Sequence, residues 1–380
     1  MIRVVVCTVF SLLIACGGGS SGGSSEGGGS NSESFRIEHL SAGDATVQST
    51  GLSAFSQPSS NLSGVQDQLS FNRGDHFFEK KFGVGDGLGP LFNNTSCQGC
   101  HVNDGRGHAS REAAPDNGLD FDSLLIKTFK SQLTETQKDE MKMGRLSSVG
   151  DSQVGVQLQN KSIEGVPAES ELRVSYEPVF VTFKDGERVT LRKPIWHVNY
   201  LGDGMLDDDT VFSIRVAPPM IGLGMLEAIN ERDIRSREDP NDLNNDGISG
   251  RSNVVINQET NALELGRFGW KAGLPTLRAQ TAVAFNHDMG LTTFIIPKGN
   301  CLPHQVACNA EKQVVKESEF EVSLSSFDDV VFYSRNLAVP ARRNAYDQSI
   351  QAGKALFNKV GCGSCHVAQY KTIRTSHFAQ

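Results

Sequence analysis

Three things are scarce in this sequence. No run of basic residues occurs, and the 380-residue chain carries a net charge of −8. A nucleic-acid role is excluded on that account, because it needs a dense positive surface. Long apolar runs are scarce too: beyond the N-terminus no stretch is apolar for long enough to cross a bilayer. Closely spaced pairs of C-x-x-C units, the zinc arrangement, are missing as well, since the two such units stand at 97–100 and 362–365. What remains, at 38% hydrophobic and 21% charged residues, is ordinary for a globular chain able to bury a core. The length leaves room for two domains with an insertion.

The N-terminus, "MIRVVVCTVFSLLIAC", has one Arg, an apolar run from Val4 to Ala15, and then Cys16. Residues 1–15 read as a secretory signal, too short to be a spanning helix. Leu13-Ile14-Ala15-Cys16 is similar to a bacterial lipobox, in which the cysteine is lipidated after cleavage. The Gly/Ser-rich stretch that follows is a flexible tether, and with a polar lead-in it fills 16–60. The expected location is the bacterial cell envelope, lipid-anchored at Cys16 and facing the periplasm from the outer membrane.

Eight cysteines are present. Cys7 leaves with the signal and Cys16 takes lipid. Cys97, Cys100 and His101 spell C-x-x-C-H, and so do Cys362, Cys365 and His366. Two thiols on one helical turn reach the two vinyl groups of one haem, and the adjacent His supplies a nitrogen to its iron. Chance gives roughly 0.004 such matches in a chain of this composition, so two predict two covalently attached haems of c type. Cys301 and Cys308 are left, and export makes a local disulfide their best use, with metal or redox chemistry as the rival.

The chain carries a weak internal repeat. "SFNRGDHFFEKKF" is helix-like and leads through a Gly-rich loop to Cys97. "DQSIQAGKALFNKVGCGSCH" repeats the plan, with Gly353 and Phe357 spaced as Gly74 and Phe78 are. Between the copies, Val154, Val156 and Leu158 alternate, "VFVTFKDGERVTLRKP" is a hairpin candidate around Asp185-Gly186, and "PIWHVNYL" suggests another strand. Helices are expected in "TETQKDEMKMG", "APPMIGLGMLEAINERDI" and "PTLRAQTAVAFNHDMG". The expected fold is mainly α, with two cytochrome c-like haem modules. The first covers 61–330, with a small β insertion at about 150–202; the second starts at 331 and is incomplete at 380.

Distal iron ligands are less marked. His76, His108, His197, His287, Met220, Met225 and Met289 lie in or near the first module. "NHDMG" stands out, with His287 and Met289 flanking an acid before a helix-ending Gly, and Met289 is the selected candidate. His377 is the only His after the second motif. In "DPNDLNNDGISGRSN", within 239–253, Asp242, Asn244 and Asp246 alternate before Gly247, as in the front of a Ca²⁺ loop. Asn253 stands where an EF-hand has Glu, and a polar turn without metal is the alternative.

Taken together, "GLGPLFNNTSCQGCHVNDGRG", "RVAPPMIGLGMLEAI", "DPNDLNNDGISGRSN", "GRFGWKAGLPTLRAQTAVAFNHDMGLTT" and "GKALFNKVGCGSCH" resemble the bacterial di-haem oxidoreductase family of peroxidase type. The resemblance runs from about residue 70 to 370. The family looks like a distant relative of di-haem cytochrome c peroxidases. The resemblance implies that one haem relays electrons and that peroxide is cleaved at the other. It implies Glu227, which ends an apolar helix, as acid/base, and Trp270 between the haems. It assigns calcium to Asp242, Asn244 and Asp246. Arg215, Arg267 and Lys271 would pair with haem propionates. Family members continue past the second motif with a "HDMG"-like and a "PLWGLG"-like stretch. Neither follows His366 here, so the chain is expected to be a fragment, with His377 as an improvised ligand or an open iron as the alternatives.

The leading expectation is therefore an exported, lipid-anchored di-haem oxidoreductase of peroxidase type. Its electron donor would be a small redox protein, for which an acidic surface suits a basic partner, or a quinol-derived source. The alternatives are a di-haem electron-transfer cytochrome without catalysis, or an envelope lipoprotein that handles iron or haem.

Overall fold

The computed structural model describes residues 15–16, 38–51, 53–108, 123–311 and 320–373. The signal segment, most of the tether, the Cys16 side chain and His377 lie outside the described residues. Two compact units emerge: one of residues 70–220 and 253–333, the other of residues before 70, 221–252 and 334 onward.

The expectation of a mainly α protein is wrong. The chain is 31% helical and 21% strand, spread over several small sheets, so it is mixed α/β. The β structure of the first unit reaches well outside 150–202. Leu124–Lys130 lies between Gln157–Leu158 and Thr210–Val216, antiparallel to both. Beside this sheet runs a two-stranded ribbon, Ser170–Thr182 paired with Arg188–Tyr200 over thirteen residue pairs. "PIWHVNYL" is thus the second half of one long strand rather than a strand of its own. At the base of the ribbon Leu172 is buried with Leu124, Ile126, Val154 and Leu158, and Trp196, Val198 and Tyr200 pack against them. The outer half leaves this core.

The helices of the first unit meet where the sequence repeat placed its glycine. Phe71, Gly74 and Phe78 are the buried residues of Val65–Glu79, spaced three and four apart on one face. That face meets the Leu324–Asn336 helix at Asp329 and Tyr333. A Cβ on Gly74 would lie 2.1 Å from the Asp329 carbonyl oxygen and 2.6 Å from Tyr333 Cβ. Only glycine lets the backbones approach this closely. Arg73 clamps the crossing with two bonds to Asp329, Nε to Oδ2 at 2.7 Å and Nη2 to Oδ1 at 2.9 Å.

In the second unit, Ala42, Ile221 and Val339 form a small core with Phe55 and Met225 against it. Thr46–Val47 pairs in parallel with Val339–Pro340. Within the polar lead-in Ala42 and Ala54 are buried, Ala42 against Ile221 and Val339. Gln348–Lys359 is a helix that buries none of its residues, leaving Ile350, Leu356 and Val360 exposed. Where the sequence suggested one helix after Pro219, two short ones form, Leu223–Glu227 and Glu231–Arg235. Asn230 divides them by capping the second, its side chain accepting from Arg232 N at 2.9 Å.

One buried acid is coupled to folding. Glu169 is 4% exposed, and burial pushes its carboxyl up to about 7, against the pull of bonds from Gln159 N and Gln305 Nε2. Its folded pKa lies above its unfolded one, so the folded state binds the extra proton. The resulting penalty is absent below about pH 4.5 and complete above about pH 7, at roughly 3 kcal/mol. Urea melts at pH 5 and pH 8 are expected to show this loss in the parent and to lose it in Glu169→Gln. Equal pH slopes in the two proteins would refute it.

Candidate functional site

The first C-x-x-C-H motif is a single helical turn, Cys97–Cys100, opened by Ser96, whose side chain accepts from Gly99 N at 3.0 Å. Neither thiol is in a disulfide, and Cys100 is buried. Burial, with the nearby Asp288 carboxylate, pushes the Cys97 thiol up to about 12. Gly99 has no room for a Cβ, which would stand 2.2 Å from Asn94 Oδ1.

His101 follows the turn. Its Nδ1 is 2.9 Å from the Pro218 carbonyl oxygen. A carbonyl only accepts, so Nδ1 carries the proton and Nε2 keeps its lone pair. That is the tautomer an iron ligand needs. Burial lowers the imidazole's pKa, which favours the neutral form, although the Pro218 and Gly105 carbonyls oppose it. Phe78 sits between His101 and Tyr333, with ring centroids 6.2 Å and 5.4 Å away. The helix crossing therefore buttresses the proximal side of the motif.

The end of the Leu277–Met289 helix closes on the same segment. Asn93 N donates to Asp288 O at 2.8 Å, and Gly89 N donates to Met289 O at 2.9 Å. Met289 is buried. His287 Nδ1 is buried without a hydrogen-bond partner, and burial, with Lys127 nearby, pushes the ring down to about 4. A neutral imidazole with an orphaned nitrogen fits a haem pocket. His287 is thus at least as good a distal candidate here as Met289.

Two cations lie near this end. Lys127 bonds to Gln157 Oε1, and Gln157 Nε2 bonds to Asp288 Oδ1 at 2.9 Å. Burial lowers the Lys127 pKa and raises that of Asp288, and it lowers that of Arg215. Arg215 stands opposite Leu125 in the sheet, and Lys127 is two residues along on the same face. Sequence reasoning singled out Arg215 but not Lys127. The missed signal is a lysine between Leu125 and Phe129 on one strand face, where a solvated side chain would be polar-flanked. Arg267 is half-buried, and its backbone N–H donates to Leu274 O at 2.9 Å. Lys271 is exposed. Trp270, at the tip of the same turn, is 50% exposed and so is not a core residue.

The second motif lies in the other unit and is far more open. Cys362–Ser364 is a short turn, and His366 N donates to Cys362 O at 3.0 Å. Cys362 and Cys365 are free thiols, and Cys365 and His366 are exposed. Phe357 lies beside His366, centroids 5.5 Å apart, as Phe78 does beside His101. Gly353 has nothing within 4 Å of its Cβ position, so the copy reproduces the near half of the crossing alone.

Glu227 belongs to this second unit. Arg335 Nε donates to its Oε2 at 2.7 Å, with the two side chains 9% and 19% exposed. Beyond the second motif the chain returns to the neighbouring residues: Thr372 bridges to Ile229, and Ile373 N donates to Ala228 O at 2.9 Å.

Asp242, Asn244 and Asp246 turn inward on their own loop. Asp242 Oδ1 accepts from Asp246 N at 3.0 Å and from Gly247 N at 3.2 Å, and Asn244 Oδ1 accepts from Asp246 N. Among the described residues no three His, Cys, Asp or Glu side chains converge as a metal site. Asn253 points its amide at the Lys271 and Ala272 carbonyls. Cys301 and Cys308 are joined by a disulfide, which closes a loop beside Leu91 and Val166.

Neither a curated protein nor a solved structure matches the chain. A family model described as "Di-haem oxidoreductase, putative peroxidase" matches residues 37–379. With both C-x-x-C-H turns inside that span, this chain belongs to the di-haem oxidoreductase family.

Proposed function

We propose that the protein is an exported di-haem peroxidase, in which two electrons and two protons turn hydrogen peroxide into two waters. The observation that carries this reading is the first C-x-x-C-H turn. It has two thiols outside any disulfide and a His whose Nδ1 is committed to Pro218, which leaves Nε2 able to ligate iron. Cys97, Cys100 and His101 would hold one haem, and Cys362, Cys365 and His366 the other. When bound, haem supplies an iron that takes up and passes on single electrons.

The chain's own residues do the rest. Lys127 and Arg215 would meet the propionates, offsetting the partial burial of two cations that bond no carboxylate among the described residues. His287 or Met289 would be the further protein ligand available to the haem held at Cys97, Cys100 and His101. Glu227 accepts a proton from one peroxide oxygen and returns it to the other, so that the bond between them parts. Arg335 is the positioning residue that aims this carboxylate. Trp270 serves electron passage, and calcium, if bound, replaces the backbone N–H donors that now satisfy Asp242 and Asn244. The apolar N-terminal run, Cys16 and the Gly/Ser tether support a lipid-anchored periplasmic location, with a small redox protein or a quinol-derived source as donor.

Glu227→Gln is expected to lower peroxide turnover by about 10²- to 10⁴-fold with haem content unchanged. Turnover near the parent's would remove Glu227 from the mechanism. A reduced protein that neither binds CO nor turns over peroxide would remove the peroxidase reading itself.

A further inference from the structure

The outer half of the β-ribbon has no partner among the described residues. Opposite residues in an antiparallel pair share a face, and so do alternate residues along a strand. One face therefore carries, from base to tip, Glu177 opposite Lys193, Val179 opposite Leu191, Val181 opposite Val189, and Phe183 beside Glu187. Val179 is 38% exposed, Phe183 51% and Leu191 53%. On the reverse face Arg192 lies over the Tyr176 ring at 4.6 Å. An isolated two-stranded ribbon is marginal in water, and a contiguous exposed apolar patch marks a contact surface.

We propose that this face packs against the same face of a second copy of the chain, with the two ribbons antiparallel. The order of residues is self-complementary about a point between the Val181–Val189 and Val179–Leu191 pairs. A two-fold axis there lays each apolar pair on the other ribbon's apolar pair. It also brings the Glu187 tip of one ribbon over the Lys193 base of its partner, twice. Stacked sheets lie ~10 Å apart, a gap that a glutamate and a lysine reaching toward each other can bridge. Such an isologous contact needs one patch, complementary to itself, which is what the face presents.

Charge selects the second copy over other occupants. The chain as a whole is at −8, so two copies repel over most of their surfaces. The ribbon is the exception, with Glu171, Glu177, Asp185 and Glu187 set against Arg173, Lys184, Arg188, Arg192 and Lys193. A strongly acidic or basic partner finds no matching field there, whereas a like ribbon does. Within one chain Lys193 sits 3.9 Å from Glu177, a loose pair that leaves it able to reach a second carboxylate.

Sedimentation of the haem-loaded protein tests this. The parent is expected to run as a pair of chains, and Leu191→Glu as a single chain with the same haem content and the same far-UV circular dichroism. Lys193→Glu alone should weaken pairing by roughly tenfold or more. Adding Glu187→Lys to it should restore the parent's association, because the exchanged charges meet again across the axis. A parent that stays single at every concentration overturns the proposal. So does a pair that Leu191→Glu leaves intact, or a double variant that fails to recover. A single chain whose ribbon instead binds phospholipid vesicles overturns it in favour of a membrane contact.

Discussion

A chain carrying Cys97→Ser and Cys100→Ser is expected to hold half the parent's covalent haem and to lose its cooperative melt. The matching Cys362→Ser, Cys365→Ser chain is expected to hold the other half and to melt close to the parent. Pyridine haemochrome spectra and thermal melts of both read the contrast. The reason is the depth of the two motifs. The first is backed by Phe78, Tyr333 and the end of the 277–289 helix, with Cys100 buried. On the reading proposed above, Lys127 and Arg215 would lose the propionates that offset their partial burial. At the second motif Cys365 and His366 already face water, so the loss exposes little. Two variants with equal haem loss and equal melting shifts would show that the motifs are energetically alike.

Gly74→Ala should be severely damaging, and Gly353→Ala harmless at the equivalent place. Both glycines lie in helices four residues before a phenylalanine that packs on a haem-motif histidine. At Gly74 the new Cβ meets backbone at 2.1 Å, and the helix cannot move without also breaking the Arg73–Asp329 clamp. Overpacking of this kind costs about 1–3 kcal/mol, and rigid backbone on the far side puts Gly74 at or above the upper end. The helix-propensity gain of about 1 kcal/mol offsets only part of it. At Gly353 the same methyl meets nothing within 4 Å, so only the gain remains. Denaturant melts of the two variants, with haem content as a control, decide it. Similar destabilisation in both would mean that Gly353 also lies in a close helix contact.

The contrast bears on what could be read from sequence. The haem motifs, the Gly–x₃–Phe repeat and the helix around residues 277–289 were legible because each depends on short-range spacing. The strand content was underestimated for a physical reason. Pro178 and Pro194 interrupt the two ribbon strands, and a proline ordinarily argues against a strand interior. In a ribbon of two strands each has an outer edge whose N–H groups need no partner, so both prolines are tolerated. Lys127 and Pro218 were missed because their roles are long-range. Lys127 matters through Asp288 and Arg215, and Pro218 through a carbonyl 117 positions away in sequence from His101. Glu227 was singled out from its helix, but nothing local announced Arg335, which is 108 positions further on.

The unequal depth of the two motifs also sets an order of events in making the protein. An attaching enzyme must reach two thiols and bring haem between them. In the folded first unit Cys100 is buried, and burial holds the Cys97 thiol protonated to about pH 12, out of its reactive form. On the covalent attachment proposed above, haem would have to join there while the chain is still open, before the 324–336 helix crosses Gly74. Cys365 remains on the surface after folding. Its haem can arrive last, on a molecule that is otherwise finished, so the two attachments belong to different moments in the life of the chain.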